Sequence, residues 1–147
     1  LEAMGSRLWP LAEAPERANV AKIAGNFMLA TAIESMAEAT ALTRAHGVSA
    51  ADFLDVMTNT LFAAPAYQGY GELIAGQRFK PAGFTLPLGL KDVELALTAG
   101  SAAHVPLPFA GVLRDSLLEA LAAGDAELDW SSLALVAARR AHLDERG

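Results

Sequence analysis

The sequence predicts an all-α fold, a helical bundle built around a long first helix. Three observations lead there. Hydrophobic residues make up 53% of the 147 residues and many of them are alanine, the best helix former and small enough to let helices pack closely. Helix punctuation recurs along the chain, with Pro15-Glu16, Ser49 with Asp52, Leu86-Pro87 and Pro106/Pro108 as starts and Gly47 and Gly124 as stops. Finally, the first helical stretch carries Val20, Ile23, Phe27, Leu29, Ile33, Met36 and Leu42 on more than one face, the mark of a helix covered on several sides.

The elements follow in order. Residues 1–14 read as a linker or the remnant of a preceding domain; Arg7-Leu8-Trp9-Pro10-Leu11 suits an edge strand or an extended segment, since Pro10 bars an interior ladder position. Proline in the first turn and an acid at the positive dipole end start a helix at Pro15-Glu16. It runs to about His46, is stopped by Gly47 and forms the spine. Ser49 as N-cap, with Asp52 three residues on, starts a second helix that ends near Thr60 to Ala64. Pro65 to Gly76 is turn-rich with room for a short helix, and Gln77 to Thr85 is a loop. A third helix begins at Leu86-Pro87 and ends around Gly100 to His104. Pro106 and Pro108 open a fourth that reaches Ala122-Ala123. Asp125 to Asp129 is read as a solvated acidic turn, and Asp129 or Ser131 caps a last helix from about Ser131 to Leu143, anchored by Trp130. The sum is about five main helices.

Composition excludes several functions. A net charge of -6 without any Lys/Arg cluster argues against a nucleic-acid surface. There are no cysteines, which removes disulfides, thiolate metal sites and a cysteine nucleophile, and fits a reducing cytoplasm. His46, His104 and His142 are dispersed without metal-ligand spacing, so no metal is expected. Leu95 to Leu113 lacks charged residues, but Gly100, His104, Pro106, Pro108 and Gly111 interrupt it, so it reads as two helices with a kinked joint rather than a membrane span. No signal peptide is visible, and the start at Leu1 suggests a fragment of a longer protein.

The most informative pair is Lys22 and Asn26, one helical turn apart. The helical neighbours of Lys22 are Ala18, Asn19, Gly25 and Asn26, so the usual surface carboxylate partner is missing and a shallow uncharged hollow surrounds one ammonium. Gly25 costs the helix about 1 kcal/mol relative to alanine, which calls for close approach of a ligand or another backbone, or for a packing notch. Far downstream, Lys91-Asp92 follows a Pro/Gly-punctuated segment.

The stretch Asn19-Val20-Ala21-Lys22-Ile23-Ala24-Gly25-Asn26, continued through Glu34-Ser35-Met36-Ala37-Glu38-Ala39, resembles the interdomain helix of the 3-hydroxyisobutyrate dehydrogenases, also called β-hydroxyacid dehydrogenases. Phe84-Thr85-Leu86-Pro87-Leu88-Gly89-Leu90-Lys91-Asp92 resembles that family's second signature, a phenylalanine and then Lys-Asp opening a helix. The resemblance implies a C-terminal helical substrate and dimerisation domain over residues 15–147, like that of 6-phosphogluconate dehydrogenase, placed after a Rossmann domain. It implies that Lys22 is the catalytic acid/base, that Asn26 binds substrate or orients the lysine, and that Lys91 and Phe84 meet the cofactor. NAD or NADP is the implied cofactor, bound mostly by a domain outside this chain, and a small carboxylate is the implied substrate. A homodimer is expected from the apolar excess of the first helix. Asp92 is read as anchoring its helix start.

The chain departs from the family in two places. Relatives carry a Gly-x-Gly turn before the lysine helix, where this chain has Glu16-Arg17-Ala18. No G-x-G-x-x-G follows a strand, so the chain alone is expected to be inactive. Imine reductases share the architecture but place another residue at the lysine position, which Lys22 disfavours; a helical dimerisation or ligand-binding module without chemistry is the remaining alternative.

Overall fold

The computed structural model describes residues 15–143, and these form six α-helices and one 3-10 turn, with no strand among the described residues. The expectation of a linker over residues 1–14 lies outside them. α1 spans Pro15–Ala45, α2 Ala50–Asn59, α3 Pro65–Ala75, α4 Leu86–Ala102, α5 Pro108–Ala122 and α6 Leu133–Arg140, with the 3-10 turn at Trp130–Ser132. The bundle expected from the sequence is the bundle observed. No described helix is long and apolar enough to cross a membrane.

α1 is the spine and touches every other helix. Its middle is sunk in the bundle because two stripes are apolar. Ala30, Ile33, Ala37 and Ala41 face α4, α5 and α6, while Met36 joins Leu54 of α2 and Ile74 of α3 in a second, smaller cluster. The alanines keep the backbones close, and Ile33, Leu86, Val93, Leu113, Leu117, Leu133 and Val136 fill the main core. The first turns of α1 differ: from Glu16 to Gly25 only Ile23 is even half-buried. Burial on several sides therefore holds from about the second third of the helix onward, and its N-terminal turns stand clear of the bundle.

The predicted start signals act as read. Ser49 caps α2, its Oγ accepting from the Asp52 N–H at 3.0 Å and donating to the Asp52 carboxylate at 2.7 Å. Pro65, Pro87 and Pro108 sit in the first turns of α3, α4 and α5, where a missing N–H costs nothing. The turn-rich stretch after Pro65 is a full helix, α3. The last helix is shorter than expected, because Trp130–Ser132 winds as a 3-10 turn and α6 stops at Arg140.

Trp130 ties the C-terminal segment to the start of α4. It is 2% exposed and meets Phe84 at a ring separation of 4.6 Å and Tyr70 edge-on at 5.9 Å, geometries that aromatic pairs favour. Gly89 makes this possible, since a Cβ there would stand 3.0 Å from Trp130 Cε3.

The acidic turn is a correction. Asp129 is 2% exposed, not solvated. Its Oδ2 accepts from the N–H groups of Gly83 and Phe84, each at 3.0 Å, and its Oδ1 accepts from Ser131 N–H at 2.9 Å and Ser131 Oγ at 2.7 Å. Backbone bonds from Asp129 N to Phe79 O, Trp130 N to Phe84 O and Leu86 N to Leu128 O complete the seam. The loop before α4 is thus stitched to the segment before α6, and this fixes where α4 begins. Asp125 pairs instead with Arg139 at 2.9 Å.

Candidate functional site

α1 and α4 pack against each other, and their contact carries one polar link. Asn26 Nδ2 donates to Asp92 Oδ2 at 2.6 Å across 66 residues of sequence. Both side chains are half-buried. The α4 positions buried in the bundle are Leu86, Gly89, Val93, Ala96 and Gly100. At 100° per residue, Asp92 falls at the flank of that stripe, toward α1. Asp92 sits in the second turn of α4, whose N-cap is Thr85. The expectation that Asp92 anchors the helix start is therefore corrected: its carboxylate serves the neighbouring helix, too far along α4 to meet the free N–H groups of the first turn.

Lys22 lies four residues before Asn26, about 6 Å along the helix and about 40° around it. Its side chain is exposed. The expected hollow is also corrected. A Cβ at Gly25 would meet nothing within 4 Å, so this glycine is neither a packing notch nor a point of close approach within the chain, and the surface around the lysine is open. Lys91 is exposed as well, about 100° round α4 from Asp92. Among the described residues neither lysine stands in an ion pair. Phe84 turns toward Trp130 and packs on the main core, half-buried. The fold therefore joins Asn26 to Asp92 directly and sets Lys22 one turn from that pair. Lys91 stands on the outer face of α4, and Phe84 packs, half-buried, on Trp130 two residues before α4 begins.

Between α1 and the C-terminal half of α4 runs an apolar groove of about 230 Å³. Val20, Ile23 and Phe27 form one wall, and Gly100, Val105 and Leu107 the other. It has no charged lining residue. Nearby, Met28 is 71% and Phe109 65% exposed, a high value for side chains of this size.

Sequence reasoning missed Asp92 as the partner of Asn26 and Asp129 as the tether of the loop before α4. Both are long-range pairings that helical periodicity does not encode. It also passed over Glu34, which is 8% exposed. Ser116 Oγ donates to Glu34 Oε1 at 2.6 Å, and Arg140 reaches Ser116 Oγ at 3.2 Å. Burial pushes the Glu34 carboxyl above its ordinary value, with Glu38 and Glu119 adding repulsion and Ser116 and Arg140 opposing. Its signal was present in the sequence, as one carboxylate set among alanines and an isoleucine on the core stripe of α1.

The family profile for the NAD-binding region of NADP-dependent 3-hydroxyisobutyrate dehydrogenase matches residues 17–137. The chain belongs to the 3-hydroxyisobutyrate dehydrogenase family. It is 35% identical over 133 residues to an uncharacterized oxidoreductase, YfjR, of Bacillus subtilis (strain 168), covering 90% of this chain and 46% of that protein. The crystal structure of 3-hydroxyisobutyrate dehydrogenase from Salmonella typhimurium superposes with a TM-score of 0.85 at 21% identity, over 92% of this chain and 47% of that one. The Mycobacterium tuberculosis 3-hydroxyisobutyrate dehydrogenase, whose structure includes L-serine, gives a TM-score of 0.71 at 29% identity over 82% of this chain and 43% of that one. The chain spans about half the length of these proteins. Lys22, Asn26, Phe84, Lys91 and Asp92 all fall inside the region that the family profile matches.

Proposed function

We propose that this chain is the C-terminal helical half of an NAD(P)-dependent oxidoreductase that interconverts a small hydroxy acid and its semialdehyde or keto acid. A dinucleotide-binding domain precedes it and closes over the exposed N-terminal turns of α1. The observation that carries the reading is the Lys22–Asn26–Asp92 arrangement on the α1–α4 contact, within a chain of this family. L-serine, present in the Mycobacterium tuberculosis structure, is itself a small 3-hydroxy acid and belongs to the substrate class proposed.

The residues present fit the reacting end of such a cofactor and not its phosphates. No strand with a glycine-rich turn stands among the described residues, so the phosphate cradle belongs to the other domain. When bound, the nicotinamide supplies or takes the hydride. Lys22 handles the proton: in reduction its ammonium donates to the carbonyl oxygen as charge builds there, and in oxidation its amine accepts the hydroxyl proton. Asn26, a neutral amide, holds substrate without competing for that charge. Lys91 offers a second positive group to the carboxylate or the cofactor as the cleft closes, and Phe84 backs the cofactor side through the core. In a chain of net charge -6, these lysines supply the local attraction an anionic substrate needs.

The test is Lys22→Ala in the enzyme comprising both halves. Turnover of short hydroxy acids should fall by about 10²- to 10⁴-fold, with cofactor binding and thermal unfolding nearly unchanged. Equal loss of folding would make Lys22 structural. Faster turnover of cyclic imines than of semialdehydes would move the chain to the imine-reductase reading.

A further inference from the structure

Resting on that reading, we infer that Asp92 is a positioning residue. It holds the Asn26 carboxamide with its NH₂ turned into α4 and its carbonyl oxygen turned out, so that Asn26 meets the substrate as a hydrogen-bond acceptor. The Asn26–Asp92 bond is short and polar, at 2.6 Å, and ties α1 to α4. A carboxylate oxygen accepts, so the group facing it must be the NH₂ end of the amide. A carboxamide is planar with its oxygen and nitrogen on opposite sides, and fixing one end fixes the other. Without Asp92 the two orientations differ little in packing, and the amide would turn over freely.

The orientation has a chemical consequence. A carbonyl oxygen accepts from a substrate hydroxyl or from an ammonium. It repels a carboxylate. Asn26 therefore reads the hydroxyl end of a hydroxy acid and leaves the carboxylate to positive groups. The same oxygen lies one turn from Lys22 on one helix face; the alcohol has a single proton, which it donates to the Asn26 oxygen on binding and turns to the Lys22 amine for the chemical step. A hydroxy acid whose alcohol is replaced by hydrogen or by a methyl ether loses this donor, and such analogues should bind poorly.

The experiment uses the enzyme with both halves. Asp92→Ala should lower kcat/KM for the hydroxy acid about 10-fold or more. The KM for cofactor should stay within about twofold of the parent. The unreactive methyl ether should bind the parent more weakly than the alcohol, and Asp92→Ala should narrow that difference. Asn26→Ala combined with Asp92→Ala should cost no more than Asn26→Ala alone, because the carboxylate acts through the amide. The exchanged pair, Asn26→Asp with Asp92→Asn, keeps an acceptor at position 26 and restores the bond in reverse. It should recover turnover relative to Asn26→Asp alone. A separate readout is free of catalysis: in the chain itself, the Asn26 side-chain NH₂ resonances should shift on Asp92→Ala. Unchanged resonances, or additive losses in the double variant, would overturn the inference. Full turnover in Asp92→Ala beside a crippled Asn26→Ala would overturn it and leave the proposed function standing. Full turnover in both Lys22→Ala and Asn26→Ala would overturn the reading on which it rests, and the inference with it.

Discussion

Replacing Asp129 by asparagine should destabilise the chain even though the two side chains have almost the same shape. Each carboxylate oxygen of Asp129 takes two bonds, Oδ2 from the backbone N–H groups of Gly83 and Phe84 and Oδ1 from the N–H and hydroxyl of Ser131. Every partner is donating. An asparagine must set its NH₂ against one of the two pairs. The better choice keeps its carbonyl on Gly83 and Phe84, because the Ser131 hydroxyl can rotate and accept. The Ser131 N–H is then faced by another donor in a residue with no exposed surface. One bond lost and one buried donor orphaned cost about 2–3 kcal/mol. Asp129→Ala orphans all four donors, two of them at the less buried loop, and should cost about 3–4 kcal/mol. At about 3–4 °C per kcal/mol for a domain near this size, the asparagine variant should melt about 8 °C lower and the alanine variant about 12 °C lower. Urea titration of the chain, followed by far-ultraviolet circular dichroism, measures both with an unchanged slope. An asparagine variant within about 0.5 kcal/mol of the parent, the scatter of ordinary surface substitutions, would refute the claim that the carboxylate is held by donors on both oxygens.

Two further outcomes follow from the packing. Burial raises the Glu34 carboxyl above its ordinary value of 4.5; the folded chain therefore holds a proton that the unfolded chain has released, and stability contributed by that proton is lost as pH rises from about the ordinary value through the raised one. Glu34→Gln stays neutral and keeps the Ser116 bond, so its stability relative to the parent should improve as pH rises through that window, measured by urea unfolding across the range; a pH-independent difference would contradict it. We propose that Met28 and Phe109, 71% and 65% exposed, lie on the covered face of the homodimer expected from the first helix; Met28→Glu with Phe109→Glu should then convert the enzyme comprising both halves to monomer in sedimentation, whereas a parent that is already a stable monomer would remove the dimer.

Most of the fold was legible because its signals are local. A serine cap, a proline in a first turn or a glycine stop acts within four residues, and α1, α2, α4 and α5 were placed to within a few residues on those grounds. α3 was harder to read because Gly69 and Gly71 weaken its propensity. Gly71 is there for packing, since a Cβ would stand 3.0 Å from Thr58 Cγ2 of α2. The last helix was overextended because nothing local marks a 3-10 turn at Trp130. Of the candidate site residues, Lys22 and Asn26 are singled out in the sequence by their spacing and the family signature they complete. The bond from Asn26 to Asp92 could not, because it depends on the register between α1 and α4, which the tertiary core sets. Asp129 looked like a solvent-facing acid for the same reason: two of its four donors, the N–H groups of Gly83 and Phe84, lie 46 and 45 residues away.

The central claim is that the Lys22 amine carries the proton, and chemical rescue tests it most directly. In the two-domain enzyme, Lys22→Ala should lose turnover of a short hydroxy acid and regain part of it, saturably, when a small primary amine is added, while the same amine leaves Asn26→Ala unimproved. Undiminished turnover in Lys22→Ala, or a loss that no amine restores in a folded, cofactor-binding protein, would contradict the account.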